Sequence, residues 1–197
     1  MLDVCRMMDI YHLLSQVAVF GVEGHVVELG AHEGQSAILM QEIINYHGTD
    51  MELHVYDSFS GLPARHPHDA GGYLLPGDLS TDKSVFLNNF ARQELAPPVV
   101  HRGWFHETLP QELPRQICFA HIDCDFYTSV IESLAAVYPR LAHNAIVVID
   151  DYDWEGLPGV KIAVHDFLHD KPDIICPLRV SAEFDAVHAF FRHHAMR

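Results

Sequence analysis

The sequence is poor in positive charge: 12 Lys and Arg stand against 27 Asp and Glu, a formal net charge of −15 at pH 7. A nucleic-acid partner needs a basic footprint to displace counterions, and an anionic membrane surface needs the same, so neither is expected. No apolar run approaches the roughly 20 residues of a membrane span. The opening MLDVCRMMDIYHLL carries acid inside it, unlike a secretory leader. Cysteine is scarce too. Cys5, Cys118, Cys124 and Cys176 are scattered without a C-x-x-C, which reads as reduced thiols of a cytoplasmic protein rather than a disulfide frame. What is present is 197 residues, 49% hydrophobic and 20% charged, enough for a real core and expected to form one domain over 1–197. Histidine, at 16, is the unusual abundance.

Periodicity places the elements. Val4, Met7, Met8, Tyr11, Leu14 and Val17 recur at helical spacing, so a helix is expected over 4–20 within an N-terminal segment 1–24. Short apolar runs at 25–29, 53–56, 99–101, 117–122, 145–149, 174–177 and 187–191 read as strands. Helical patterns fall at 35–46, 82–94, 129–140 and 159–168, and 108–114 looks poor in helix. The segment 58–81 is rich in Gly, Pro and His without a period, and is expected to be a mobile or functional loop. Strands alternating with helices, several apolar throughout, imply an α/β fold with a mostly parallel seven-stranded sheet. Helices cover both faces, and the last two strands close as a hairpin with one antiparallel member.

In such sheets ligands bind beyond the C-terminal ends of the strands. Glu28-x-Gly30-x-x-x-Gly34 stands between the first strand and its helix, where glycine lets a backbone approach closely and a helix N-terminus favours an anionic group. Alone the pattern is equally a structural turn. Asp57 ends the second strand, a station where an acid accepts from ribose hydroxyls, although it also suits a turn. Asp123-Cys124-Asp125 and Asp150-Asp151 end two further strands. If those strands are neighbours, the carboxylates converge, and like charges so close raise a pKa or need a hard cation such as Mg²⁺. Other features read blandly. His66 and His68 are expected as exposed loop residues, His193 and His194 as solvated tail, and His121 as a hydrogen-bonded core histidine.

Five stretches then match a known family in order: VVELGAHEGQSA (26–37), VYDSFSGLP (55–63), GWFHETLP (103–110), HIDCDFYTSVIESLAAVYPRL (121–141) and IVVIDDYDWEGLPGVKIAVHDF (146–167). The chain resembles the macrocin O-methyltransferase family, Rossmann-like class I enzymes that use S-adenosylmethionine and a divalent metal. The resemblance implies that Glu28, Gly30, Gly34 and Ser36 hold the amino-acid end of the cofactor. Asp57, with Ser58 and Phe59, would bind its ribose, and Gly103 and Trp104 would border the adenine. It further implies that Asp123, Asp150 and Asp151 ligate the metal and that Asp123 is also the general base.

The activity expected is O-methyl transfer to a hydroxyl of a sugar or sugar-containing small molecule, or a glycan end. The alternatives are a non-catalytic cofactor-binding protein on the same fold and a catechol-type methyltransferase. A lysine near the acceptor would mark the latter, yet the three lysines, Lys83, Lys161 and Lys171, do not follow the Asp123 motif. A metal-dependent hydrolase would need no nucleoside site. Few residues precede Glu28, so cover for the acceptor is expected from the loop 61–77, or from the 4–20 helix of a second copy in a homodimer.

Overall fold

The computed structural model describes residues 3–178 and 187–194. In chain order the elements are α1 (Val4–Val19), β1 (His25–Leu29), α2 (Gln35–His47), β2 (Leu53–Asp57), α3 (Lys83–Arg92), β3 (Val99–Arg102), α4 (Phe105–Glu112), β4 (Ile117–Ile122), α5 (Tyr127–Val137), β5 (Leu141–Ile149), α6 (Pro158–Leu168), β6 (Cys176–Leu178) and β7 (His188–Arg192). One seven-stranded sheet runs β3-β2-β1-β4-β5-β7-β6. The first five strands pair in parallel, while β7 lies antiparallel to both β5 and β6. This is the architecture of class I methyltransferases. The chain leaves β1 in one direction and returns to β4 on its other side, so a crevice opens between those two strand ends. Every residue of β4 is buried, which is why it reads as an unbroken apolar run. Among the described residues no helix is long and apolar enough to cross a membrane.

The N-cap of α1 is Asp3, whose Oδ1 accepts from Arg6 N at 2.9 Å. Its inner stripe is Ile10, Leu13, Leu14 and Val17, while Val4, Met8 and Tyr11 stay exposed on the outer side. The segment expected to be a mobile loop is pinned at its centre. A 3-10 turn at Pro67–Asp69 buries Asp69, which accepts from Tyr127 N at 2.9 Å and from His66 N at 2.8 Å. Tyr73 N donates to Gly156 O at 3.1 Å, holding the tip against the loop before α6.

Three expectations need correction. The stretch 108–114, expected to be poor in helix, holds the C-terminal part of α4, with Pro110 inside it. Proline there gives up a helical hydrogen bond. The C-terminal end of the helix is held from across the fold by Arg140, which donates to Pro110 O at 3.2 Å, to Pro114 O at 3.3 Å and to Leu113 O. Strand β5 begins four residues early, at Leu141, because a register shift against β4 and a left-handed Asn144 (φ 68°) absorb extra residues. Third, His193 is buried rather than solvated, and its Nδ1 lies 2.9 Å from Asp173 Oδ2.

Asp173 anchors that edge. Its carboxylate also accepts from Tyr138 OH at 2.6 Å and His194 N at 3.0 Å. Burial pushes its pKa up, but the three donors win and hold it below the ordinary carboxylate range. A carboxylate lowered on folding stabilises above its unfolded pKa, and that contribution fades as pH falls through the folded value. Asp173→Asn should therefore cost about 1–3 kcal/mol at pH 7. The gap to wild type should narrow on acidification below about pH 4, as read from urea midpoints. A gap independent of pH would contradict the assignment.

Candidate active site at the strand ends

The end of β1 carries Glu28, fully buried. Its Oε1 accepts from Ser36 Oγ at 2.5 Å and lies 3.1 Å from His121 Nδ1, whereas its Oε2 is buried without a partner. An unmatched carboxylate oxygen at the crevice suits a donor or cation brought by a ligand. His121 is the core histidine expected. Gly30 and Gly34 have positive φ (86° and 89°), and a Cβ on Gly30 would fall 1.9 Å from Asp123 O. On Gly34 it would fall 2.8 Å from the Phe86 ring. Both glycines are demanded by the protein's own packing before any ligand is considered.

At the end of β2, Asp57 Oδ2 accepts from Ala31 N and His32 N, each at 2.8 Å, and Oδ1 accepts from Phe59 N at 2.6 Å. The acid thus ties the loop after β1 to the loop after β2, leaving about one of a carboxylate's four lone-pair positions for a ligand. Ser58 Oγ caps its own turn, accepting from Ser60 N at 3.0 Å and donating to Gly61 O at 3.2 Å. Phe59 is buried with a positive φ of 54°, unusual for so bulky a residue, and packs edge-on to Phe86. From the end of β3, Gly103 N donates to Asp57 O at 3.0 Å, and half-buried Trp104 follows. The residues assigned to a cofactor from the sequence therefore line three successive strand ends: β1, β2 and β3.

The other side of the crevice is acidic. Strands β4 and β5 are neighbours, as the convergence of Asp123 and Asp150 requires. Asp123, Asp125 and Asp151 each present an oxygen within 4.8 Å of the others. Asp125 and Asp151 sit in the left-handed region (φ 63° and 52°), which Asp tolerates better than most residues. Asp150 points differently. It accepts from its neighbour Asp151 N at 2.7 Å and groups with His121 and His188.

Two cations hold this cluster. Arg6, from the first turn of α1, donates through Nη1 to Asp150 Oδ2 at 2.8 Å and through Nη2 to Asp151 Oδ1. His188 lies 3.1 Å from Asp150 and 3.3 Å from Asp9, contacts too bent to be aligned hydrogen bonds. The electrostatics follow. Burial, then Asp150, Asp125 and Asp151, push Asp123 well above the carboxylate range. Burial and the Asp151 and Asp150 charges push Asp125 up to about 7. Burial and Asp150 push Asp151 up to about 6, against the pull of Arg6. Asp150 alone is lowered, because His188 and Arg6 outweigh its burial. His188 rises to about 9: burial opposes its charge, but Asp150 and Asp9 prevail.

Sequence reasoning named Asp123, Asp150 and Asp151 but missed Arg6 and His188, and it left Asp125 open as a cap. One signal for Arg6 was available. A cation in the first turn of a helix opposes the helix dipole, so its placement implies an acidic partner elsewhere. Helix α1, expected to add little over the strand ends, sends that guanidinium into the acidic cluster.

The macrocin-O-methyltransferase family profile matches residues 1–193. The chain is 31% identical over 204 residues to the 8-demethyl-8-(2,3-dimethoxy-alpha-L-rhamnosyl)-tetracenomycin-C 4'-O-methyltransferase of Streptomyces olivaceus, covering 99% of this chain and 76% of that one. It is 30% identical to the mycinamicin III 3''-O-methyltransferase of Micromonospora griseorubida, covering 85% and 69%. Among solved structures, the O-methyltransferase NovP matches with a TM-score of 0.81 at 25% identity, covering 98% of this chain and 81% of that chain. The calicheamicin methyltransferase CalS11 shares the fold, with a TM-score of 0.74 at 22% identity and coverage of 97% and 80%.

Removing one partner of a buried ion pair strands the other, at a typical cost of about 3–5 kcal/mol. Arg6→Gln should lower stability in urea denaturation by an amount of that order. Adding Asp151→Asn should recover part of the loss, giving a coupling energy of about 1 kcal/mol or more. Additive effects of the two substitutions would show that Arg6 acts elsewhere.

Proposed function

Because the chain belongs to the macrocin-O-methyltransferase family, we propose that it moves the methyl group of S-adenosylmethionine onto a sugar hydroxyl of a glycosylated small molecule, with a hard divalent cation such as Mg²⁺. One arrangement carries this reading. The β1 and β4 strand ends bring together a buried carboxylate with an unmatched oxygen, at Glu28, and a cluster of four carboxylates of which Arg6 bridges only Asp150 and Asp151. The relative from Streptomyces olivaceus is named for a rhamnosyl-bearing acceptor, which supports the acceptor class.

Glu28, Gly30, Gly34 and Ser36 would hold the amino-acid end of the cofactor, with Glu28 Oε2 receiving the ammonium. Asp57, beside Ser58 and Phe59, would offer its remaining lone pair to the ribose, and Gly103 and Trp104 would flank the adenine. This seats the sulfonium toward the acidic cluster, whose negative potential suits a cation. The donor set fits a hard divalent ion: oxygen ligands only, close together and undercompensated in charge. Asp123, Asp125 and Asp151 would hold it, and Asp150 would complete the set once Arg6 lets go. Bound there, such an ion supplies attraction for acceptor oxygens and a lower hydroxyl pKa.

The chain's own residues do the rest. The sulfonium methyl is already electrophilic, so catalysis consists of aligning an acceptor oxygen with it and removing one proton. Asp123, at the end of β4 among the carboxylates that would hold the ion, would take that proton.

Calorimetry should show one molecule of S-adenosylhomocysteine bound per chain. A rhamnosylated acceptor should be methylated, with activity lost on exhaustive chelation and restored by Mg²⁺. Asp123→Asn should keep its affinity for S-adenosylhomocysteine while the turnover rate falls about 10²–10⁴-fold. A folded protein that does not bind S-adenosylhomocysteine would overturn the proposal. Activity that survives chelation would overturn the metal.

A further inference from the structure

A second group of ligating side chains lies at the other end of the strands. His25 opens β1, Glu52 precedes β2 and His54 is the second residue of β2. Parallel pairing sets Val26 against Leu53, so His25 and Glu52 sit side by side where the two strands start. One ligand atom from each of the three residues lies within 4.8 Å of the others.

The hydrogen bonds around these rings fix where the protons are. His101 Nδ1 contacts Glu112 Oε2, and a carboxylate only accepts, so the neutral His101 ring carries its proton on Nδ1 and leaves Nε2 to accept. His54 Nδ1 lies 3.2 Å from that Nε2 and must donate to it. The Nε2 of His54 is then a bare lone pair, and it is buried without a hydrogen-bond partner. His25 Nδ1 carries no proton of its own, but its one lone pair accepts from Glu52 N at 3.2 Å, a long contact that a metal ion would have to displace. Between the two rings sits Glu52 Oε2, 3.8 Å from His54 Nε2 and 3.9 Å from His25 Nδ1. Two acceptors, His54 Nε2 and Glu52 Oε2, face one another with no proton between them, and His25 Nδ1 borders both.

We propose that His25, Glu52 and His54 form a binding site for a borderline divalent transition-metal ion such as Zn²⁺, separate from the acidic cluster. Two imidazoles and a carboxylate suit Zn²⁺, Co²⁺ or Ni²⁺ rather than Mg²⁺. Tetrahedral Zn²⁺ with bonds of ~2.0 Å sets its ligands about 3.3 Å apart. Glu52 must therefore close in by roughly half an ångström, which its exposed side chain can do. The chain Glu112–His101–His54 is the supporting relay that metal-bound histidines commonly use to fix tautomer and orientation. It links the site to β3 and α4.

The test uses untagged, chelator-stripped protein titrated with Zn²⁺ in excess Mg²⁺, and with Co²⁺ as an absorbing probe. One Zn²⁺ should bind per chain at micromolar concentration and raise the melting temperature. Co²⁺ should give visible bands of a nitrogen-ligated, low-coordinate site. Glu52→Gln and His25→Gln, both at solvent-facing side chains, should weaken binding at least tenfold and abolish the shift, with circular dichroism unchanged. A His66→Gln/His68→Gln double variant should bind as wild type does. Absence of zinc binding, wild-type affinity in the Glu52 and His25 variants, or loss of binding in the loop variant would each overturn the site. None of these outcomes touches methyl transfer, so the two proposals fail separately.

Discussion

Four carboxylates, Asp123, Asp125, Asp150 and Asp151, crowd the ends of β4 and β5, and a single guanidinium, from Arg6, reaches into them. Such a concentration of like charge under partial burial raises protonation or requires cations. Much of the surrounding architecture answers that constraint. Helix α1 is laid against the sheet so that Arg6 spans Asp150 and Asp151 while Asp9 meets His188. Strand β7 enters antiparallel beside β5, and this brings His188 to Asp150. The division of labour is uneven. Asp150 is held as an anion by two cations, whereas Asp123, Asp125 and Asp151 remain undercompensated.

The cofactor side depends on a different constraint, close approach of backbones. Gly30 touches the carbonyl of Asp123 so nearly that no side chain fits between them. That contact sets the distance between the loop after β1, which Glu28 and Ser36 flank, and the acidic cluster after β4. Asp57 locks the same loop from the β2 side through two backbone N–H groups, those of Ala31 and His32. The methyl donor and the acceptor's proton acceptor would thus be set by the two strands at which the topology reverses, and small shifts in either loop would move both.

Much of this could be read in the chain. The apolar run of β4 and the regular alternation of strands and helices predicted the sheet, because parallel strands buried on both faces leave a plain pattern. Glu28, Asp57, Asp123 and Asp150 stood out as polar residues interrupting or ending apolar runs. Long-range partners left no such trace. The stretch 108–114 read as poor in helix, since nothing local announces that Arg140 will satisfy the carbonyls at the end of α4. His193 read as tail, since its partner Asp173 lies across a connection with no periodicity. Arg6 is separated from Asp150 by 144 positions, and only its awkward place against the helix dipole hinted at a distant acid.

If the cluster is a cation site that Arg6 partly fills, guanidinium and divalent ion compete for the same carboxylates. Mn²⁺ binding followed by electron paramagnetic resonance, in wild type and in Arg6→Gln, measures that competition directly. The account predicts one site per chain, with Arg6→Gln binding Mn²⁺ several-fold more tightly and recovering its lost thermal stability as the site fills. Weaker Mn²⁺ binding in Arg6→Gln, or no binding to either protein, would contradict it.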